Sequence, residues 1–288
     1  MVTPGLIREL RERTGAGLMD CKKALGESAG DIDKAIDFLR REGILKAAKK
    51  ATRITKEGLV MEAHSPDGAV AALVEVNCET DFVARTDDFK NFCFVLAEQA
   101  FKGQPATLEA LKEEKLGSGE PGSKKIADLL TELVARLGEN ISIRRYQLFR
   151  ANGGKEKVGV YVHPGNKIGV MVRMAGEPSK MAGILKDISM HVAAMHPLYL
   201  SGEQVPAAVA EQERGRLKES PELVSKPEAI AEKIVAGKYA RFLSEICLLD
   251  QVFIRDMTGK GTVRETLKKV DPSLKILEFV RYQVGESA

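Results

Sequence analysis

The spacing of apolar positions changes along the chain, and each change predicts a new kind of element. Within residues 1–55 the spacing is three to four. Leu6, Ile7 and Leu10 share a face behind Thr3 and Pro4, which suit the N-cap and first helical position. The glycines of RTGAGLMD break that helix and begin a short second one. Asp31 suits the cap of a third helix, in which Ile32, Ala35, Ile36 and Leu39 recur before Gly43 ends it. The basic stretch LKAAKKATR then reads as a solvated tether. A unit of this size buries little surface and is marginal alone, so it reads as a binding knob on a larger body.

From Gly58 the period drops to two. GLVMEAHS, the turn PDG and AVAALVEV predict a β-hairpin. The corner VNCETDFVARTDDF follows, with Phe82 and Val83 in a place where a bare turn needs only glycine or a cap. Thr86 suits the N-cap of a helix whose Phe89, Phe92, Cys93, Leu96, Ala97 and Ala100 form one stripe. TLEALKEEKL predicts a helix, GSGEPGS a loop, KKIADLLTELVARL a helix stopped by Gly138, and ISIRRYQLF a strand.

About 100 residues after the first hairpin a second repeats its grammar. KVGVYVH, the turn PGNK and IGVMVRM precede the helical SKMAGILKDISMHVAAM, and His64 and His163 each close a first strand before a turn. This predicts an internal duplication. Beyond Pro197, VPAAVAEQERGRLKES and KPEAIAEKIVAGKYARFLSEI predict two helices, the second opened by Ser225 and Pro227. The first is too polar for burial all round, and the short join predicts an antiparallel, projecting coiled-coil hairpin at about 202–247. QVFIRD then reads as a strand, Thr262 and Glu265 as a capping box, and LKILEFVRYQV as the last strand. The expected fold class is α+β. It comprises a three-helix module at 1–55, a core subdomain at 56–150 and a second at 151–288 carrying the hairpin insertion.

Composition removes several function classes. At 44% hydrophobic and 30% charged residues the 288-residue chain is ordinary globular material, and no apolar run reaches membrane-span length. A net charge of +3 and 5% aromatics point away from direct nucleic-acid binding. Four dispersed cysteines read as reduced thiols of a cytoplasmic protein. MTGKGT has Ile254 and Gly261 where a phosphate loop needs glycine and Ser or Thr, so it reads as a turn. His191 and His196 lack the spacing of a zinc pair, and His191 reads as a satisfied core histidine. No nucleophile motif or carboxylate pair completes a catalytic constellation. The chain reads as a binding protein rather than an enzyme, with no metal and no cofactor.

LRERTGAGLMDCKKAL, VEVNCETDFVAR, ARLGENISIRR, and VHPGNKIGVMV with ISMHVAA together resemble the bacterial elongation factor Ts family, in order and over nearly the whole chain. The resemblance implies a guanine-nucleotide exchange factor for the GTPase elongation factor Tu, a module at 1–55 similar to ubiquitin-associated domains, and a complex that can dimerise. It implies that Thr80, Asp81, Phe82 and Val83 disturb the partner's Mg²⁺ and phosphate site so that GDP leaves and the empty form is held until GTP binds. By the same resemblance Leu18, Met19, Leu137, Gly138 and His163 make further contacts with the partner. Leu18 stands where Met is familiar, a near volume-conserving exchange. His64 carries no implied role. The chain ends at RYQVGESA, where many members of that family continue into a helical segment that reaches the partner. On that expectation the contact is absent here. Two readings from the residues alone stay open beside this one: a helical adaptor for a partner that is not a GTPase, and an RNA-binding accessory resting on LKAAKKATR and IRRYQ.

Overall fold

The N-terminal helical period produces α1 (Pro4–Thr14), α2 (Leu18–Glu27) and α3 (Ile32–Lys50) in the computed structural model, which describes residues 2–116, 123–223 and 226–286. Thr3 and Asp31 cap α1 and α3 by accepting from the Leu6 and Lys34 amides. Leu10, Cys21, Ala24, Leu25 and Ala35 form a small buried centre.

One expectation fails in this module: α3 does not end at Gly43. It continues to Lys50, so residues 45–50 of LKAAKKATR form its last turns and only Ala51, Thr52 and Arg53 lie beyond it. Gly43 is buried, and a Cβ added there would lie 3.4 Å from the Cβ of Ala135 in α7 (Ile126–Leu137). The glycine lies inside the helix where α3 crosses α7, a Cβ there would only reach contact distance, and it does not terminate the helix.

The period-two segments form two three-stranded antiparallel sheets. The first orders β1 (Glu57–His64), β2 (Val70–Cys78) and β3 (Ile141–Arg150), and the second β4 (Glu156–Val162), β5 (Ile168–Ala175) and β6 (Lys275–Gln283). Between β2 and β3 lie α4 (Asp81–Ala84), α5 (Asp87–Gly103), α6 (Leu108–Glu113) and α7. Between β5 and β6 lie α8 (Pro178–Met195), α9 (Ala207–Lys218), α10 (Glu228–Ile246) and α11 (Val263–Val270). Helix α5 covers the outer face of the first sheet and α8 that of the second. The inner faces meet through Val60, Ala71, Leu73 and Phe149 against Val158, Met171 and Tyr282. Strand β2 is therefore buried on both faces, which is why AALVEV reads as a nearly continuous apolar run.

The likeness of the two sheets extends to irregularities. Each sheet breaks register between its second and third strands, at Glu75/Val76 and at Arg173/Met174. Across the break Glu75 faces Arg145 in one sheet and Arg173 faces Glu278 in the other, each ion pair at 2.6 Å. The two halves thus carry the same bulge with the charges exchanged.

QVFIRD is not a strand. Val252 alone bridges Thr262, because Asp256 accepts hydrogen bonds from Thr258, Lys260 and Gly261 and folds MTGKGT into a turn. The capping box of Thr262 and Glu265 then opens α11. Helices α9 and α10 pack on each other, with the Arg214 guanidinium 4.3 Å from the Tyr239 ring centroid. Pro227 sits at the N-cap of α10; Ser225 and most of the GSGEPGS segment lie outside the described residues.

Candidate functional site

Strand β2 delivers the chain into Glu79 and Thr80, and the next four residues close one helical turn, α4. The corner is itself helical rather than a plain turn. Thr80 is its N-cap: the hydroxyl accepts from the Val83 amide, and the Thr80 carbonyl accepts from Ala84. This turn sorts the tetrapeptide by direction. Phe82 is 78% exposed, whereas Val83 is 8% exposed and joins Ala84, Val76, Phe89 and Cys93 in the core beneath α5. Asp81 is half-buried and pairs with Arg85 one turn on, at 2.7 Å. An aromatic ring is thus held in water on a turn that its neighbour anchors from below.

Polar groups complete the support. Glu139 accepts from the Glu79 and Thr80 amides at 3.1 and 2.9 Å through one carboxylate oxygen, and from the Thr80 hydroxyl at 2.6 Å through the other. The Cys78 thiol donates to the Thr80 carbonyl. Burial, and then the Glu139 carboxylate, push that thiol up to about 12, so it keeps the proton it donates.

The other expected residues fall into three places. Leu137 and Gly138 end α7, Gly138 at φ 78° as its left-handed C-cap, and immediately precede Glu139. They therefore adjoin the corner through the Glu139 carboxylate. The Gly138 carbonyl accepts from Lys50 at the end of α3. Leu18 and Met19 open α2 and are 57% and 71% exposed. Their module leans on α7 through α3, through an Arg40–Asp128 ion pair at 3.0 Å, and where Gly15 abuts Arg136. His163 is exposed in the turn between β4 and β5, and its Nδ1 lies 2.9 Å from the Tyr161 hydroxyl. Asn166 of that turn bonds the Val60 carbonyl and Lys167 pairs with Glu57 at 2.6 Å, fixing the turn to β1. Since Glu57 is the ladder partner of Cys78, the turn is tied to the end of the first sheet from which the corner departs.

His191 is buried, with Nε2 3.0 Å from Gln251 and Nδ1 accepting from Ile254, which makes it a satisfied core residue. Among the described residues no group of His, Cys, Asp and Glu side chains could hold a metal ion, and no helix is long and apolar enough to cross a membrane. Sequence reasoning missed Glu79, Glu139 and Asn140. Their pairing across about 60 residues leaves no local signal, although LGEN falls in a stretch that carries the resemblance.

Comparison with known proteins joins this geometry to a family. The model of the family described as elongation factor TS matches residues 79–286. Elongation factor Ts of Clostridium kluyveri is 43% identical over 99% of this chain and 94% of its own length. The proteins of the same name from Clostridium acetobutylicum and Clostridium perfringens are each 41% identical, again over 99% of the chain. With more than half of its residues matched by the family model and near full-length relatives above 40% identity, the chain belongs to the elongation factor Ts family.

Proposed function

We propose that this protein releases GDP from elongation factor Tu by pressing the Thr80–Val83 turn against the GTPase's nucleotide site. Family membership gives the coarser statement, a nucleotide exchange factor of translation elongation whose partner is elongation factor Tu. The finer reading rests on one observation: Phe82 is 78% exposed on a turn fixed by buried Val83 and by the Glu139 carboxylate. A rigid, exposed aromatic ring suits an interface anchor, because docking it orders little that is not already ordered. Asp81 beside it brings a carboxylate to a site that depends on Mg²⁺ and phosphate charge. Leu18 and Met19, Leu137 and Gly138, and His163 serve as additional contacts. Their surroundings support this reading: Leu18, Met19, Gly138 and His163 are exposed, and each stands on a segment hydrogen-bonded or packed to the body. The packed pair α9–α10 is the projecting coiled coil of the same reading.

Exchange follows from linkage. A protein that binds the nucleotide-free GTPase more tightly than the GDP form must weaken GDP binding by the same factor. One with equal affinity for both forms would shift nothing.

Stopped-flow release of a fluorescent GDP analogue from elongation factor Tu tests the proposal. Wild-type protein accelerates release, and Phe82→Ala loses about 2 kcal/mol of transition-state stabilisation, roughly thirty-fold in kcat/KM. The exposed ring contributes little to folding, so the thermal midpoint of Phe82→Ala stays near that of the wild type. A folded Phe82→Ala variant with undiminished exchange would reject this role for the turn.

A further inference from the structure

We infer that Glu139 is a positioning residue for exchange: its carboxylate sets the Phe82 turn, and together with Glu79 and Asn140 it locks that turn to the N-terminal helices and to the Leu137–Gly138 contact. The inference rests on the exchange reading above and assigns the device that makes the turn rigid.

Helix α4 is only four residues long, too short to hold itself, since a first helical turn fixes several dihedrals for very few hydrogen bonds. Its entering amides are donors with no partner inside the helix. Glu139 takes the amides of Glu79 and Thr80 on one oxygen and the Thr80 hydroxyl on the other, at 2.6 to 3.1 Å. Bonds to an ionised acceptor are the strong, short kind, and three converging on one carboxylate leave the turn little freedom. The Thr80 hydroxyl gives its proton to Glu139 and accepts from Val83, so the same contact also orients the cap.

The clasp is reciprocal. The Glu79 carboxylate accepts from the Asn140 amide at 2.6 Å, so each segment supplies a carboxylate to the other's backbone. Asn140, 8% exposed, spends its side-chain amide on the carbonyls of Arg53 at 2.7 Å and Ala51 at 3.4 Å. Lys50, just before them, donates to the Gly138 carbonyl. Three segments far apart in sequence therefore meet at one polar joint: the end of α3, the turn bearing Phe82, and the end of α7. The module carrying Leu18 and Met19 hangs from the first of these. Contacts placed before the partner arrives need not be ordered on binding, and their binding energy goes to displacing nucleotide.

The chemistry separates two substitutions. Glu139→Ala removes the acceptors outright. Glu139→Gln keeps one oxygen for the two amides and offers an NH₂ to the Thr80 hydroxyl, which can accept as readily as donate.

The experiment measures GDP release with Glu139→Ala and Glu139→Gln, each in the wild-type and Phe82→Ala backgrounds, alongside hydrogen exchange of the Glu79 and Thr80 amides. In the wild-type background Glu139→Ala lowers the maximal release rate by about tenfold or more, while Glu139→Gln stays within about threefold of wild type. In the Phe82→Ala background the further loss from Glu139→Ala shrinks to about twofold, since a residue that acts by placing the ring has nothing left to place. The Glu79 and Thr80 amides lose protection in Glu139→Ala while β2 amides keep theirs. Equal fold-losses in both backgrounds, or unchanged amide protection, would overturn the inference. A wild-type protein that leaves GDP release unchanged would instead overturn the exchange reading and the functional half of this inference with it. Amide protection would then still decide whether the clasp orders the turn.

Discussion

At the scale of single residues, His191 shows how burial turns a titratable ring into a structural one. Its Nδ1 accepts from the Ile254 amide, so the neutral ring carries its proton on Nε2 and donates it to the Gln251 side-chain oxygen. Protonating Nδ1 would break the first bond and leave a charge beside Phe253, whose ring centroid is 5.7 Å away. Burial lowers the folded ring's pKa below its ordinary 6.5, and the Gln251 bond offsets this only partly. The unfolded chain therefore binds a proton that the folded chain refuses. This stability is complete above about pH 6.5 and declines as the pH falls below it. Denaturant unfolding between about pH 5 and pH 8 checks the sign, with His191→Gln flattening the acid side of the profile. The same variant lowers stability at neutral pH by about 1–3 kcal/mol, because the Ile254 amide loses its acceptor. A variant that keeps the full acid slope would place the titration elsewhere. The histidine's burial was readable from the apolar positions around it in SMHVAAM, but Gln251, 60 residues on, was not.

Among elements, what was legible was local. Thr3, Asp31, Thr86 and Thr262 announce helix starts because a cap is decided within three residues, and Gly138 a stop because its φ of 78° suits glycine. Gly43 misled because its surroundings are set by another helix: Ala135 is 92 positions away, and only the packed structure shows α3 continuing past Gly43 to cross α7 there. QVFIRD misled because a side chain, Asp256, outbid the strand pattern for the backbone amides that follow it. The corner showed as unusual in sequence, yet its division into an outward Phe82 and an inward Val83 needed the helical turn to be seen. Gly43 gives a prediction that separates the two reasons for a glycine. Its φ lies outside the left-handed region and an added Cβ meets Ala135 at ordinary contact distance, so Gly43→Ala raises stability by up to about 1 kcal/mol. Gly43→Leu overpacks the crossing and costs about 1–3 kcal/mol. Chemical denaturation of the two variants checks the pair. A destabilised Gly43→Ala would mean that the crossing tolerates no Cβ at all.

At the scale of the whole molecule, the chain has two similar halves whose sheets share one inner core. The exchanged charges at the two bulges, Glu75 with Arg145 and Arg173 with Glu278, leave each half with its own internal ion pair. Apolar side chains provide much of the join between them. Gly169 shows how tight it is: a Cβ there would stand 2.4 Å from a methyl of Val60 and 2.9 Å from one of Leu73. Met171, fully buried, faces the first sheet from the centre of the second. Truncating it leaves a cavity that belongs to both halves, so Met171→Ala costs about 2–5 kcal/mol. If the sheets form one cooperative unit, amides of β2 and β5 exchange faster together and by the same factor. Faster exchange confined to β4, β5 and β6 would show that the halves open independently. On the proposed exchange role the distinction matters because His163 stands on the second sheet and Phe82 beside the first, while Asn166 and Lys167 tie the His163 turn to β1. Two contacts held by one cooperative unit reach a partner at fixed separation, so strain met at one is passed to the other. Halves that opened separately would let each proposed contact relax, and binding free energy at His163 would no longer help to drive Phe82 into the site proposed for it.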